Sequence, residues 1–381
     1  MVYYFDYNAT TPVAPEVFDA MVPYLRDRWG NPSSMYAFGH ALKGVIESAR
    51  ESVAALIQAD AGEVVFTSCG TESSNTALCC GLNAHPERRH LIMSGVEHSA
   101  NLKTGAYLES LGFRVSYLPV QPDGLIELDQ LEATIMTDTA MVSLMWANNE
   151  TGVVFPIVEI GALCRERGVL FHTDAVQAAG KIPIDVRTAS VDYLSLSGHK
   201  IYAPKGVGVL FVRDKAPYQS LILGGGQEKG RRAGTQNVAS IVAMGEAARL
   251  AARNLDAEIN RLRILRDRLE GGLLKLPFVC RNGDADARLP NTTNLGFSGI
   301  ESEALLLLLE KEGVCASSGS ACSTGLLEPS HVLTAMGVPR SLAMGSVRFS
   351  LGRMSTDAEV DHLVSVVPRL AERLRGVSPK M

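Results

Sequence analysis

The sequence predicts an α/β fold with a mostly parallel sheet in a large domain, followed by a smaller α+β domain. Apolar strands alternate with helices of about 10–15 residues through the middle of the chain, a pattern typical of parallel sheets that are covered on both faces. A long amphipathic helix over residues 254–276 then precedes a change of character at Pro277. We therefore expect a large domain over residues 15–255, and a small domain that combines residues 1–14 with 256–381.

Length, composition and charge exclude several classes of protein. The 381 residues, 46% of them hydrophobic, are enough for a large core and favour two domains over one. A formal net charge of -5 gives no electrostatic reason to expect nucleic acid or an anionic membrane as a partner. The longest apolar run, Leu305 to Leu309, is too short to span a bilayer, and no basic segment followed by an apolar stretch marks the chain for export. Seven cysteines without a regular spacing fit a reducing compartment, so we expect a soluble cytoplasmic protein.

The pattern of apolar residues defines the elements of the large domain. Short runs that are rich in Val, Ile, Leu and Phe predict strands, and apolar residues that recur every three or four positions predict helices. Strands are expected at residues 63–66, 90–93, 114–118, 141–145, 169–172, 191–194 and 207–212, and helices near residue 15, at 40–57, from 76, at 101–111 and at 157–167.

The same two patterns define the small domain. In the helix at 254–276, an apolar stripe from Leu255 to Leu273 indicates core packing and no chemical role. A final helix is opened by a capping box, in which the side chains of Thr356 and Glu359 each accept a backbone N–H of the other residue. The other elements are strands at 291–297, 314–316 and 347–351 and a helix at 302–312.

A small polar turn over residues 67–75 is a candidate anion site, because it joins the strand at 63–66 to the helix that is expected from Thr76. Unpaired N–H groups and the positive end of the dipole at a helix N-terminus face a bound phosphate. The turn matches neither a Walker loop nor a Gly-x-Gly-x-x-Gly fingerprint. An ordinary N-cap by Thr71 or Ser68 would explain the same residues without a ligand.

Polar residues follow three of the predicted strands at the point where each strand ends. The carboxyl ends of parallel strands meet at one edge of the sheet, and open α/β sheets bind their ligands at this edge. Each residue alone is compatible with a structural role, but their shared position predicts a common site. In chain order they are Glu97 with His98, Asn148 to Glu150, and Asp174 with Gln177.

Lys200 is the candidate catalytic lysine, and it closes a turn at residues 195–200 between two apolar strands. An ordinary solvated lysine is one interpretation of this position. The other is a Schiff-base lysine, whose amine is partly desolvated and is neutral often enough to attack a carbonyl. Asp174 favours the second interpretation, because an aspartate that pairs with a pyridinium nitrogen and a lysine imine are the two protein groups that a pyridoxal phosphate (PLP) enzyme needs.

The cysteines differ in their surroundings along the sequence. Cys322 lies in a loop of small residues, 317–325, and an exposed loop rich in glycine and serine suits a reactive thiol. We expect this loop to be poorly ordered, or to hold the thiol well away from a cofactor. Cys69, in the polar turn, is a rival candidate for a reactive thiol. Three others lie within helical patterns and are expected to be buried: Cys79, Cys80 and Cys164.

The sequence contains four motifs that are informative together: Asp174-x-x-Gln177, Ser197-x-His199-Lys200, the run Arg231 to Thr235 and the run Ser318 to Cys322. In this combination they resemble the cysteine desulfurases of the NifS/IscS family. The likeness covers nearly the whole chain, from Asp6 to Arg353. The segment 225–235 is more similar to the NifS branch, which supplies sulfur for nitrogenase iron–sulfur clusters, than to the housekeeping IscS branch.

The resemblance implies the aminotransferase class-V fold of PLP-dependent transferases and a homodimer. It also implies that L-cysteine is converted to L-alanine, with a persulfide left on the enzyme for an iron–sulfur scaffold protein, and that the enzyme has no metal site of its own. His98 is expected to act in catalysis as well as to stack on the PLP ring, and Asn149 to contact the substrate. By the same resemblance, Lys200 holds PLP as an imine, Asp174 pairs with its pyridinium nitrogen, and Gln177 and Asn149 bond its phenolic oxygen. The PLP phosphate is held by Gly70, Thr71, Ser197 and His199 of the same subunit, together with Thr235 of the partner subunit. Arg348 binds the substrate carboxylate, and Cys322 is the nucleophile.

Other functions share part of this residue set. A PLP aminotransferase or Cβ-lyase would use Lys200 and Asp174 but not Cys322, and would form a keto acid or pyruvate where a desulfurase forms alanine. A housekeeping IscS-type desulfurase would use all three. A non-enzymatic iron–sulfur or zinc protein would need clustered ligands, and the sequence has no Cys-x-x-Cys or His-x-x-x-His spacing.

Overall fold

The computed structural model describes residues 2–83, 85–318 and 328–377. Cys322 therefore lies outside the described residues. The expectation that its loop is poorly ordered concerns the same residues and stays a prediction. Within the described part, the chain forms a seven-stranded sheet, two smaller sheets and twelve α-helices. None of the helices in these ranges is long and apolar enough to cross a membrane.

The strands, in chain order, are β1 (Tyr3–Tyr4), β2 (Val64–Thr67), β3 (His90–Ser94), β4 (Arg114–Leu118), β5 (Thr139–Ser143), β6 (Leu170–Asp174), β7 (Tyr193–Ser197), β8 (Gly208–Val212), β9 (Val279–Asn282), β10 (Thr292–Phe297), β11 (Val314–Cys315), β12 (Ser317–Ser318) and β13 (Ser346–Ser350). The seven-stranded sheet has the order β2-β8-β7-β6-β5-β3-β4. Neighbouring strands from β7 to β4 are parallel, whereas β8 is antiparallel to both β7 and β2. The predicted mostly parallel sheet is confirmed.

The helices, in chain order, are α1 (Pro15–Arg26), α2 (Ala37–His40), α3 (Leu42–Ile57), α4 (Gly70–Asn83), α5 (Ser99–Ser110), α6 (Leu128–Thr134), α7 (Ile157–Arg167), α8 (Val238–Leu273), α9 (Ser302–Lys311), α10 (His331–Ala335), α11 (Arg340–Ala343) and α12 (Asp357–Val377). Both faces of the large sheet are covered. Leu91 and Met93 of β3 belong to one buried apolar cluster, whereas Ile92 between them belongs to another. A sheet with two buried faces explains why its strands are apolar at nearly every position.

The second half of the chain builds smaller sheets around its own apolar cluster. β12, β13, β10 and β9 form an antiparallel sheet in that order, and β1 pairs in parallel with β11. The predicted capping box is confirmed, since Thr356 Oγ1 accepts the N–H of Glu359 at 3.3 Å and the Glu359 carboxylate accepts that of Thr356 at 2.8 Å. Phe5 packs into this cluster, whereas Leu333 of α10 packs into the core of the large sheet. The division into two domains at residues 14 and 255 stays a prediction.

Two helices begin earlier than the sequence predicted. α4 begins at Gly70 and not at Thr76, because the serines of its first turns are buried against the fold, and Ser73 forms a 2.7 Å hydrogen bond with Thr67. α8 begins at Val238 and not at residue 254. Its first half is buried on most sides, and a helix in that position shows no single apolar stripe.

Candidate active site

A cavity of about 330 Å³ opens at the carboxyl ends of the parallel strands. It forms there because the polar residues that follow β2, β3, β6 and β7 meet at this edge of the sheet. Thr235 is exposed outside the cavity, and Cys322 is outside the described residues. The cavity wall contains the other ten predicted site residues: Gly70, Thr71, His98, Asn149, Asp174, Gln177, Ser197, His199, Lys200 and Arg348.

Lys200 reaches the cavity from a 3₁₀ turn, Gly198–Lys200, that directly follows β7. Its ammonium donates hydrogen bonds to the carbonyl oxygens of Asn8 at 2.6 Å and Ala9 at 2.7 Å. Burial of the amine, together with the charge of Arg348, lowers the pKa of Lys200 to about 8. A lower pKa raises the neutral fraction of the amine near pH 7, and the neutral form is the nucleophile and base.

The turn that carries Lys200 depends on a glycine at position 198. A Cβ at this position would lie 2.7 Å from Cγ1 of Val207 and 3.1 Å from Cβ of Ala203. The chain leading into β8 therefore passes too close for any larger side chain. This packing fixes the direction in which the next two residues, His199 and Lys200, leave the sheet.

Asp174, the last residue of β6, is the acidic group of the cavity. Its Oδ1 accepts the backbone N–H of Val176 at 2.9 Å. Burial raises the pKa of Asp174, and the charges of His98 and Lys200 oppose that shift. A cationic hydrogen-bond donor stabilises the ionised form of such a buried carboxylate, and the protonated nitrogen of a pyridine ring is a donor of this kind.

The N-terminus of α4 forms another wall of the cavity. The thiol of Cys69 accepts the backbone N–H of Glu72 at 3.4 Å, so the capping role considered for Ser68 or Thr71 is taken by a cysteine. The Glu72 carboxylate accepts the N–H of Ser68 at 2.8 Å and fixes the preceding turn. The helix begins at Gly70, where its N–H groups and dipole suit an anion.

His98 and Glu97 both follow β3 but have different surroundings. His98 lines the cavity and is the N-cap of α5, since its Nδ1 accepts the N–H of Ala100 at 3.1 Å. Burial lowers the pKa of His98, which favours a neutral ring that can stack on an aromatic cofactor. Glu97 is fully buried, accepts hydrogen bonds from Ser94 at 2.7 Å and Met145 at 2.9 Å, and has its pKa raised by burial to about 7. We assign Glu97 a structural role.

Arg348 brings β13 of the small sheet to the cavity. Its Nη2 forms an ion pair with Oδ1 of Asp6 at 2.6 Å, and its Nη1 donates to the carbonyl oxygen of Asn149 at 2.9 Å. Its Nε is buried and has no hydrogen-bond partner in the described ranges. Buried N–H groups are normally satisfied, so the orphan Nε favours a ligand with a carboxylate here.

The sequence analysis missed the contribution of the N-terminal segment. The carbonyl oxygen of Asn8 accepts hydrogen bonds from Lys200 and, at 2.9 Å, from Nε2 of Gln177, while Asp6 pairs with Arg348. It also missed Lys181, whose ammonium lies 2.6 Å from Oε1 of Gln177. The available signal was the run Asp6 to Thr11, which is part of the family likeness but carried no assigned role.

The segment before Thr235 is held by its own subunit. The buried Glu228 pairs with the buried Arg50 at 2.7 Å, and Arg232 pairs with Glu72 in the first turn of α4 at 2.9 Å. Thr235 itself is exposed and is not part of the cavity wall of its own chain. This placement leaves Thr235 accessible to a second subunit.

The residues around the cavity fit PLP. The α4 N-terminus suits the phosphate, Asp174 suits the ring nitrogen, and the amine of Lys200 suits the aldehyde. The orphan Nε of Arg348 suits the carboxylate of an amino acid substrate. By contrast, no three His, Cys, Asp or Glu side chains come together as a metal site anywhere in residues 2–83, 85–318 and 328–377.

Comparison with known proteins agrees with this fit. The aminotransferase class-V family profile matches residues 3–363. The chain is 54% identical to a cysteine desulfurase of Trichormus azollae (99% of this chain, 95% of that protein) and 49% identical to the cysteine desulfurase NifS of Azotobacter vinelandii (99% and 94%). A solved structure of a NifS-like protein superimposes with a TM-score of 0.92 at 37% identity, over 99% of this chain and all of the other. The chain therefore belongs to the aminotransferase class-V family and, within it, to the PLP-dependent cysteine desulfurases.

Proposed function

We propose that this protein converts L-cysteine to L-alanine, keeps the sulfur as a persulfide on Cys322, and passes it to an iron–sulfur scaffold protein. The observation that supports it most directly is the convergence of Lys200, Asp174 and Arg348 on one cavity. An amine with a lowered pKa, a buried carboxylate and a guanidinium with an orphan N–H are the groups that an amino acid substrate and PLP require.

The chain's own residues divide the work between binding and proton transfer. When bound, PLP supplies an electron sink for negative charge at the substrate Cα. Asp174 holds the proton on the ring nitrogen, and Gln177 and Asn149 bind the phenolic oxygen. Lys200 removes and returns the Cα proton, since its amine can be neutral or charged near pH 7. His98 covers the ring and limits access of water.

The phosphate contacts come from two subunits in this proposal. Gly70 and Thr71 offer the N-terminus of α4, and Ser197 and His199 add side chains from the end of β7. Thr235 of the partner subunit completes the set. The site is therefore composite, and the homodimer is the active form.

Cys322 receives the sulfur. Its thiolate attacks the substrate sulfur, so that an S–S bond forms as the Cβ–S bond breaks and the electron pair of that bond stays with carbon. Protonation of this carbon yields alanine. The persulfide then transfers its terminal sulfur to a thiol of the acceptor protein.

A desulfuration assay with product analysis tests this function. Purified protein with PLP and L-cysteine should release alanine, and mass spectrometry should find one extra sulfur, about 32 Da, on the peptide that contains Cys322. Pyruvate would identify a Cβ-lyase, and a keto acid an aminotransferase. Either product without a Cys322 persulfide would overturn the proposal.

The nitrogenase-linked role is the finer part of the proposal, and the segment 225–235 supports it. We expect the enzyme to transfer sulfur faster to a scaffold protein that serves nitrogenase than to a housekeeping scaffold. Persulfide transfer to the two purified scaffolds, measured with labelled cysteine, distinguishes them. Equal rates, or preference for the housekeeping scaffold, would favour an IscS-type role.

Arg348→Ala should lower kcat/KM for cysteine by about 10–200-fold, because charge-assisted hydrogen bonds contribute roughly 1.5–3 kcal/mol. Arg348→Lys should recover only part of the loss, since lysine keeps the charge but cannot form two parallel hydrogen bonds. Steady-state kinetics on both variants measure the effect, with PLP content and Tm as checks on folding. Arg353→Ala is the control and should behave like the wild type, because Arg353 does not line the main cavity and its guanidinium pairs with Glu16. Unchanged kinetics in Arg348→Ala would move the carboxylate site elsewhere, with Asn149 the next residue to test.

A mixed dimer tests whether Thr235 acts in the partner's site. Thr235→Asp would place a carboxylate against the phosphate and should weaken PLP binding by like-charge repulsion. In a dimer of one Lys200→Ala subunit and one Thr235→Asp subunit, a composite arrangement puts both changes in one site and leaves the other intact. Such a dimer, purified with two different tags, should retain about half of the wild-type activity, as expected for one of two symmetric sites. If it is as inactive as the two parent homodimers, Thr235 acts in its own subunit.

A further inference from the structure

Lys181 is a buried lysine that the reaction described above does not use. It lies in the turns that follow β6, four residues after Gln177, and the residue is 8% exposed. It lines a smaller cavity of about 50 Å³ that shares Lys200 with the main cavity. A buried lysine is costly unless its ammonium is satisfied, so its contacts show what it stabilises.

Both contacts of the Lys181 ammonium are with side chains beside the active site. It donates a hydrogen bond to Oε1 of Gln177 at 2.6 Å and a longer one to Oδ1 of Asn8 at 3.3 Å. The Gln177 contact is short, as expected for a charged donor. Burial and the charges of Lys200 and Arg348 lower the pKa of Lys181. In either protonation state the amine can donate to these two oxygens.

These contacts fix which end of the Gln177 amide faces which neighbour. The oxygen and nitrogen of a glutamine amide have nearly the same shape, so the hydrogen bonds around it determine its orientation. The Lys181 ammonium is a donor and selects Oε1. At the opposite end, the carbonyl oxygen of Asn8 can only accept, and it receives Nε2 at 2.9 Å. Gln177 is therefore held with its NH₂ group on the carbonyl oxygen of Asn8, and Asn8 and Gln177 both line the main cavity, whereas Lys181 does not.

We propose that Lys181 is a positioning residue, which holds the Gln177 amide so that its NH₂ group donates a hydrogen bond to the phenolic oxygen of bound PLP. The inference rests on the proposed function, in which Gln177 contacts that oxygen. An NH₂ group has two hydrogens, so one can remain on the carbonyl oxygen of Asn8 while the other reaches the cofactor. Without Lys181, Oε1 is left as a buried acceptor, and the amide gains by rotating toward another donor.

The test is a double-mutant cycle on the reconstituted holoenzyme. Lys181→Met keeps the length and apolar volume of the side chain but removes the donor, and Gln177→Met removes the amide. Two properties are measured: the Kd for PLP, by titration of the apoenzyme, and the visible absorption maximum of the bound cofactor. The absorption maximum reports on hydrogen bonds to the phenolic oxygen, which a purely structural lysine would not change.

We expect each single variant to weaken PLP binding by about 2–10-fold, as the loss of one hydrogen bond would, and to shift the absorption maximum in the same direction. The double variant should match Gln177→Met, because Lys181 acts through Gln177. Lys181→Gln retains a donor and should restore most of the wild-type spectrum. If Lys181→Met does not fold, Lys181→Leu is used as the variant without a donor, and its PLP affinity and spectrum are compared with those of Lys181→Gln.

The outcomes separate this inference from the proposed function. If Gln177→Met changes both properties and Lys181→Met changes neither, the inference is wrong while the role of Gln177 stands. Effects that add in the double variant would also overturn it, since they would show that Lys181 acts independently of Gln177. If Gln177→Met itself leaves both properties unchanged, the proposed role of Gln177 is wrong, and the inference is wrong with it.

Discussion

Lys200→Ala should produce no alanine above background from L-cysteine, although the folded variant should still bind PLP through its phosphate contacts. The substitution removes the amine that attaches the cofactor and moves the Cα proton. General acid–base catalysis alone contributes about 10²–10⁴-fold, so loss of both roles should put the rate below detection. Alanine release and the absorption spectrum of the purified variant measure the two expected results.

Lys205→Ala is the matched control for Lys200→Ala. Lys205 lies five residues further along the same connection but is exposed, so its removal changes a lysine without touching the cavity. It should have wild-type activity and wild-type PLP content. Substantial alanine production by Lys200→Ala, with the fold intact by Tm, would remove Lys200 from its proposed role.

Cys322→Ser should abolish persulfide formation and reduce alanine production to background, while PLP binding stays at the wild-type level. A serine hydroxyl is far less nucleophilic than a thiolate and forms no persulfide. Mass spectrometry of the Cys322 peptide after incubation with cysteine measures the persulfide, and the cofactor spectrum before and after cysteine addition checks that substrate still binds.

Two further cysteines provide controls for Cys322→Ser. Cys69 lines the cavity beside the α4 N-terminus and is the rival nucleophile, so Cys69→Ser should keep at least part of the activity and all of the Cys322 persulfide. Cys280 is exposed on β9, away from the cavity, and Cys280→Ser should be unchanged. A persulfide found on Cys69 in the wild-type protein, with activity retained in Cys322→Ser, would transfer the role to Cys69.

Some elements could be predicted to the residue because local signals define both ends. α7 has its predicted bounds, since Pro156 precedes it and Gly168, with a φ of 62°, ends it in the left-handed conformation. β4 also has its predicted bounds. The start of α4 was missed because the serines of its first turns resemble a loop in composition, whereas their burial, and the contact of Ser73 with Thr67, are known only from the folded structure.

The residues of the candidate site also differ in whether the nearby sequence predicts them or only contacts between distant parts of the chain reveal them. Asp174 and His98 could be predicted because each lies at or just after the end of a strand, and the topology of a parallel sheet brings such positions together. Ser197 was predicted from the family resemblance alone. Asn8 and Lys181 could not be predicted in this way. Their roles depend on contacts such as that of Asn8 with Lys200, and nothing in the spacing of the two residues indicates that they touch.

The placement of the N-terminal segment has a consequence for the order of events during biosynthesis. Tyr3 pairs with Val314, Asp6 pairs with Arg348, and the N–H of Asn8 donates to Oγ of Ser350 at 2.9 Å. The ribosome makes these N-terminal residues long before their partners, since Asn8 and Ser350 are 342 residues apart in the sequence. The segment therefore remains unbound to these partners while the large sheet folds, because contacts between distant parts of a chain form late. The wall that supports Lys200 and Gln177 is completed last, so the mature cofactor site should arise only after β13 has been made.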